Sequence, residues 1–197
     1  MTKNIYVVSS GGCGSWCLVR YLKAIGYNTF HIHNRFPPIK LKNPANERFG
    51  DVELTEEELE NSIVIFLFRV NIDNTIFSRF VERNWKQHLK HIQCSDNDAS
   101  LEKLLETKKD VFEIEDFYNN WTTPDTKRNY KIYAIKYETM FESIGIIADT
   151  IGIKRSKHSM SKRETQRPNF EIYRSQVREI YKDFIEKMDR QPVIQVI

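Results

Sequence analysis

The sequence has little of what defines several large classes of protein. Its 197 residues include three cysteines, Cys13, Cys17 and Cys94, and this small odd number indicates free thiols in a reducing compartment rather than a disulfide framework. No apolar run reaches the roughly 18 residues of a membrane span, and the first residues lack the long apolar segment of a signal peptide. Seven glycines and six prolines are too few for collagen-like or low-complexity chains. We therefore predict a soluble, cytoplasmic protein without a membrane span.

The charge balance is also close to neutral. The 30 Lys and Arg residues exceed the 27 Asp and Glu residues by three, which is too mild an excess to predict a nucleic-acid partner. The hydrophobic fraction of 40% and the aromatic fraction of 12% suffice for a core that needs no disulfide bond or bound metal. We predict one domain over 1–197, with a core at 4–152 and a basic loop and C-terminal helix at 153–197.

The first thirty or so residues read as a βαβ unit. Ile5-Tyr6-Val7-Val8 is a short apolar run that ends in a glycine-rich stretch, as a buried parallel strand does. Apolar residues at helical spacing follow over 18–25, and 28–33 reads as a second strand. Such a unit predicts two parallel strands joined by a helix on one side of the sheet.

Strand and helix patterns continue to alternate along the rest of the chain. Ser62 to Phe68 is the strongest buried-strand signal, Tyr130 to Ile135 reads as a fourth strand, and Thr55 with Glu58 matches a capping box that opens a short helix. Residues 34–54 read as an irregular loop. A last helix over 169–188 carries an apolar stripe that would pack within the chain or against a second copy in a homodimer. The pattern predicts a three-layer α/β fold, with helices flanking a mainly parallel sheet.

The turn from Ser9 to Ser15 predicts an anion site. Glycines let the backbone point N–H groups at a ligand, and the following helix N-terminus adds partial positive charge. A tight βα turn without a ligand is the alternative. No Lys follows Gly14, which excludes a Walker A loop, and Cys17 occupies the third small position of a dinucleotide fingerprint. Cys13 and Arg20 are one residue too far apart for a cysteine phosphatase loop.

Three segments in order make the chain resemble the sulfotransferase family. The loop Gly11 to Leu18 resembles that family's first motif, and a strand that ends in Arg69 followed by Ser78 resembles its second, with one extra residue between the two. The third is an apolar strand ending in Tyr137-Glu138, with a helix and Gly152 after it. The resemblance covers roughly residues 4–152 and implies a P-loop NTPase-like sulfotransferase architecture.

The resemblance also implies an activity and its ligands. The family transfers a sulfuryl group from 3′-phosphoadenosine 5′-phosphosulfate to a hydroxyl acceptor, here expected to be a glycan or a small molecule. Arg69 and Ser78 would bind the 3′-phosphate, although Arg69 could instead form a salt bridge with an acid such as Asp73. The 5′-phosphosulfate would lie on the loop, which comprises Gly11, Gly12, Cys13, Gly14, Ser15, Trp16 and Cys17.

The first motif departs from the family at one position. The family places Lys or Arg where this chain has Gly12, and that cation stabilises charge on the bridging oxygen as sulfate leaves. Arg20, Arg35, Lys40 or a cation of the basic segment 154–167 could substitute. That segment would either close over the nucleotide as a lid or form a solvated loop. Two other functions therefore stay open, a non-catalytic nucleotide- or phosphate-binding protein and an interaction module with a basic surface.

Histidine is the candidate general base. His31 and His33 end the second strand at the edge of the sheet where α/β folds bind ligands, and alternation puts both side chains on one face. His33 is nearer the strand end and is the better candidate, the alternative being a structural histidine. His88 and His91 have helical spacing near Cys94, but no second ligand pair supports a metal, and we expect a solvated helix face.

Overall fold

The computed structural model describes residues 3–82, 85–156, 160 and 170–197. Within these residues the strands, in chain order, are β1 (Asn4–Val8), β2 (Asn28–Ile32), β3 (Lys42–Ala45), β4 (Arg48–Glu53), β5 (Ser62–Phe68), β6 (Ile132–Lys136) and β7 (Ile194–Val196). The helices are α1 (Ser15–Ala24), α2 (Glu56–Glu60), α3 (Ile72–Ile76), α4 (Trp85–His91), α5 (Leu101–Thr107), α6 (Ile114–Thr122), α7 (Tyr137–Met140), α8 (Ile144–Ile151), α9 (Glu171–Ile180) and α10 (Lys182–Asp189).

The five-stranded sheet is mainly parallel and has the order β2-β1-β5-β6-β7. In this order β2, β1, β5 and β6 run parallel, and β7 pairs antiparallel with β6 at one edge. The predicted βαβ unit is confirmed, because β1 and β2 pair in parallel and α1 joins them. The capping box is confirmed as well, since Thr55 and Glu58 exchange hydrogen bonds at the start of α2.

Both faces of the sheet are buried, which explains why its strands read as continuous apolar runs. Tyr6 and Phe66 point into a core that also holds the side chains of α6, α9 and α10, including Trp121. Val7 and Ile65, one residue along each strand, point into a second core formed with α1 and α8. Successive side chains of each strand thus point to opposite faces of the sheet, and helices pack on both faces. The fold is α/β, with a five-stranded sheet between two sets of helices.

Two expectations about local structure were wrong, and one strand was not predicted. The loop 34–54 contains a two-stranded hairpin, β3 and β4, whose turn is Asn46-Glu47. The last helix is two helices, α9 and α10, separated at Tyr181. The C-terminal residues form β7, which the sequence pattern did not predict because three residues are too few to show a period.

The strand order creates a crevice at the carboxyl ends of β1 and β5. The connection from β1 leads through α1 to β2 on one side, whereas β5 leads to β6 on the other. Open α/β sheets bind ligands at such a switch point. The glycine-rich loop follows β1 and Arg69 follows β5, so the fold brings the two predicted anion-binding elements together at this crevice.

Candidate functional site

The glycine-rich loop has the backbone conformation that its glycines predict. Gly11, Gly12 and Gly14 all have positive φ, which L side chains rarely adopt. Two of them also lie against rings, since a Cβ at Gly11 would come within 2.5 Å of the His88 imidazole and one at Gly14 would overlap the Tyr137 ring. Gly14 is the N-cap of α1, makes no side-chain cap, and is followed by a first turn without an acid. The loop therefore presents a positive helix terminus that no acid of that turn neutralises.

Arg69 contacts this loop directly. Its Nη1 donates a hydrogen bond to the carbonyl oxygen of Gly12 at 3.0 Å. Its guanidinium lies 4.8 Å from the centre of the Tyr137 ring, and its Nε is 3.9 Å from a carboxylate oxygen of Glu138. The side chain is only 16% exposed. Arg69 thus adds positive charge to the loop and holds it in place.

The alternative in which Arg69 pairs with an acid such as Asp73 names the wrong acid. Asp73 is fully buried and instead pairs with Arg174 and Arg178 of α9. The acid near Arg69 is Glu138, whose two carboxylate oxygens accept the backbone N–H groups of Val70 and Asn71 at 3.0 Å each. The Tyr-Glu pair after β6 therefore has a structural role, because its ring packs on the loop and its carboxylate caps the turn after β5.

Arg79 is the cation that sequence reasoning missed. It lies in a π-helical turn (Phe77–Val81), and a Cβ on Gly11 or Gly12 would be 3.3 Å from its side chain. The neighbouring Ser78 was the only sequence signal. The guanidinium Nε of Arg79 is the atom beside Gly11, whereas its Cγ is the atom beside Gly12.

The proposed substitutes for that cation lie elsewhere. Arg35 pairs with Glu113 and Asp116, and Lys40 pairs with Glu53 on the surface. Arg20 is exposed on α1. Of the basic segment 154–167, residues 157–159 and 161–167 lie outside the described residues, and Arg155 pairs with Asp149.

Histidines line the crevice beside the loop. His31 and His33 lie with ring centres 4.3 Å apart, in agreement with the predicted shared face. His33 Nδ1 is 2.7 Å from the carbonyl oxygen of Ser9, which can only accept, so Nδ1 carries the proton and Nε2 is the free base. Burial lowers the pKa of His33, although the bond to Ser9 opposes this, so the ring is neutral at pH 7. His33 is therefore in the protonation state that a general base needs.

His88 corrects the expectation of a solvated helix face at 88–91. It is buried at 8% exposure, and its Nε2–H donates to the carbonyl oxygen of Ser10 at 2.8 Å. Burial is the main reason that the pKa of His88 falls to about 3. Its ring lies 5.6 Å from that of His33, and α4 thereby closes over the start of the loop.

An open cavity of about 210 Å³ lies between these groups. Its lining comprises Trp16, His33, Glu47, Arg79, Gln87, His88 and His91. Trp16 is 46% exposed, and its ring packs at 5.1 Å against His31. The cavity thus combines a guanidinium, imidazoles, a carboxylate and an indole beside the loop.

The remaining predicted loop residues contribute backbone or internal contacts. Cys13 is buried, and its thiol donates to the carbonyl oxygen of Gly11 at 3.0 Å. Ser15 is buried too, with its Oγ 3.1 Å from Ser9 Oγ and 2.8 Å from His31 Nε2. Burial raises the pKa of both the Cys13 and the Cys17 thiols, so neither is an activated nucleophile.

The buried imidazoles predict a stability that falls with acid. Burial lowers the pKa of His31 and of His88 to about 3, whereas an unfolded histidine titrates near 6.5. Below about pH 6.5 the unfolded state binds protons that the folded state does not, so the free energy of unfolding declines as pH falls. Each of the two contributes a loss on the order of 2 kcal/mol between pH 7.5 and pH 5. Urea unfolding across this range checks the expectation, and a flat profile would contradict it.

Among the residues that the structure describes, we find no helix with the length and apolarity to cross a bilayer. Comparison with protein-family models, curated proteins and solved structures finds no match. A fold alone does not determine a function, which depends on the geometry and chemistry of the site.

Proposed function

We propose that the chain is a sulfotransferase-like enzyme that transfers a sulfuryl group from 3′-phosphoadenosine 5′-phosphosulfate to a hydroxyl acceptor. The observation that carries the proposal is that two guanidiniums, those of Arg69 and Arg79, lie against the glycine-rich loop. This loop lies at the switch point of the sheet and leads into helix α1, whose first turn contains no acid. Arginine suits phosphate and sulfate because its planar fork can make two parallel hydrogen bonds. In this proposal Arg79 supplies the charge that Gly12 lacks.

His33 is the proposed general base. The acceptor hydroxyl gives its proton to Nε2 of His33 while its oxygen bonds to sulfur. The bond between sulfur and the bridging oxygen breaks, and the bisphosphate nucleotide leaves with that electron pair. Positioning and charge stabilisation carry such a transfer, and the neutral His33 ring has the protonation state that the step needs.

Arg69 and Ser78 are the proposed ligands of the 3′-phosphate. Arg69 Nη1 already donates to Gly12, so phosphate binding would replace or share that hydrogen bond. Ser78 is half-buried in the π-helical turn beside Arg79. The bisphosphate nucleotide would thus be held by the backbone of the loop after β1 and by side chains that follow β5.

A non-catalytic nucleotide-binding protein on the same fold is the second candidate. The observation that favours it is the covering of the loop, since the His88 ring packs at Gly11 and the Tyr137 ring at Gly14. These rings reduce the loop surface open to a ligand. Such a site would bind an anionic group without space to align a second substrate.

One paired experiment tests the proposal. Calorimetric titration with 3′-phosphoadenosine 5′-phosphate measures binding, and radiolabelled donor with simple sugars and phenols measures transfer. We expect binding and transfer, with transfer lost in His33→Gln while nucleotide affinity stays within a few-fold of wild type. Binding without transfer in the wild type would favour the non-catalytic candidate, and the absence of binding would overturn both.

A further inference from the structure

The side chains that line the cavity form two chemically different sets. Arg79, His33 and His88 lie on the side of the loop, where the proposed donor carries its anionic groups. The other lining residues, here called the outer half, are Glu47, Gln87, His91 and Trp16, the last of which directly follows Ser15 of the loop. A volume of about 210 Å³ is below the roughly 300–1,000 Å³ of pockets for drug-sized ligands, so it suits one small ring.

Glu47 occupies an unusual place in this outer half. Asn46 and Glu47 form the two-residue turn between β3 and β4, with φ values of 47° and 64°. Such turns favour Asn and Gly, and an L side chain like that of Glu pays about 1 kcal/mol or more in this conformation. Its carbonyl oxygen accepts the backbone N–H of His33 at 2.9 Å, which fixes the turn beside the proposed base. The site therefore holds a strained acid next to His33.

The charges of the outer half are partly compensated. The Glu47 carboxylate lies 3.9 Å from Nδ1 of His91 and is 44% exposed, so it faces the cavity mouth with acceptor capacity to spare. Gln87 is exposed and offers both a donor and an acceptor. Trp16 adds exposed aromatic surface. An indole for the apolar face of a ring, with a carboxylate and an amide for its hydroxyls, is a set of groups suited to a sugar.

We propose that Trp16, Glu47 and Gln87 form an acceptor subsite for a neutral or amino sugar ring, and that Glu47 rejects acidic sugars. The inference rests on the proposed function, because it places the acceptor beside the base of that reaction. A carboxylate on the sugar ring would lie near the Glu47 carboxylate. Two negative charges that share this small cavity would repel each other, even in water.

Nuclear magnetic resonance titration tests the subsite. The probes share one ring: methyl β-glucopyranoside is neutral, glucosamine is cationic and glucuronate is anionic. The reporter is the indole N–H signal of Trp16, assigned with Trp16→Phe. We expect the neutral and cationic sugars to shift this signal saturably and glucuronate to bind about tenfold more weakly. Glu47→Gln should bring glucuronate to within about threefold of the neutral sugar, whereas Glu102→Gln, an exposed acid on α5, should leave the discrimination unchanged.

The outcomes separate this inference from the proposed function. No saturable shift with any sugar, or discrimination that survives Glu47→Gln, overturns the subsite. The same labelled sample is titrated with 3′-phosphoadenosine 5′-phosphate, which should shift the amide signals of Gly11 and Gly12. Nucleotide binding without sugar binding removes the subsite alone. Sugar binding with its Glu47 dependence, but without nucleotide binding, supports the sugar site and overturns the transferase.

Discussion

Replacement of Asp73 by alanine is expected to lower the free energy of unfolding by about 3 kcal/mol or more. Asp73 is fully buried in α3, and its carboxylate pairs with Arg174 and, at 3.1 Å, with Arg178 of α9. The Arg174 side chain is only 19% exposed, and burial lowers its pKa, with smaller contributions from Arg178 and Arg69. Removal of the acid leaves these guanidiniums facing one another without their shared counter-charge.

An exposed ion pair provides the matched control. Asp149 pairs with Arg155 on the surface, where side-chain exposures are 52% and 69%. Because solvent screens such a pair, Asp149→Ala should lower the free energy of unfolding far less than Asp73→Ala does. Urea unfolding followed by circular dichroism measures both variants. A loss for Asp73→Ala as small as that for Asp149→Ala would show that the contact between α3 and α9 does not contribute as the structure requires.

The second large effect is expected from Gly14→Ala. A methyl group there would overlap the Tyr137 ring, and the backbone has φ of 72°. The left-handed conformation costs an alanine about 1–2 kcal/mol, and the displaced ring adds a further 1–3 kcal/mol or so. We expect the free energy of unfolding to fall by about 2–5 kcal/mol in total.

Gly26 separates the two causes of this loss. It has φ of +95°, but a Cβ there would meet no heavy atom within 4 Å. Gly26→Ala therefore includes the backbone cost without the steric one, and should lose only about 1–2 kcal/mol. Thermal or urea unfolding of the two variants gives the difference. Equal losses would mean that Tyr137 does not pack against the loop.

Much of the fold could be predicted from the sequence, because its signals are local. The run 5–8, the glycines after it and the helix that follows specify the first βαβ unit within about thirty residues. The start of helix α2 could also be predicted, since its capping box involves only Thr55 and Glu58. The hairpin at 42–53 was not, because Asn46-Glu47 replaces the Asn-Gly that would mark its turn.

The site was predictable only in its backbone elements. The sequence indicates that the loop 9–15 and Arg69 each end a strand, and the strand order brings them together. It does not indicate which acid faces Arg69: Asp73 is near in sequence, but the acid is Glu138 of α7, which follows the neighbouring strand β6. The places of His88 and Arg79 likewise depend on how α4 and the π-helical turn return over the loop.

The most direct test of the central claim is the affinity of Arg79→Ala for 3′-phosphoadenosine 5′-phosphate, measured by calorimetry. Arg79 is a sharper choice than Arg69, because Arg69 also anchors the loop through Gly12. The control is Arg190→Ala, which removes a 77% exposed guanidinium directly after α10. We predict binding by the wild type and by Arg190→Ala, and at least about tenfold weaker binding by Arg79→Ala. Equal affinities for all three proteins, or no binding by the wild type, would contradict the account.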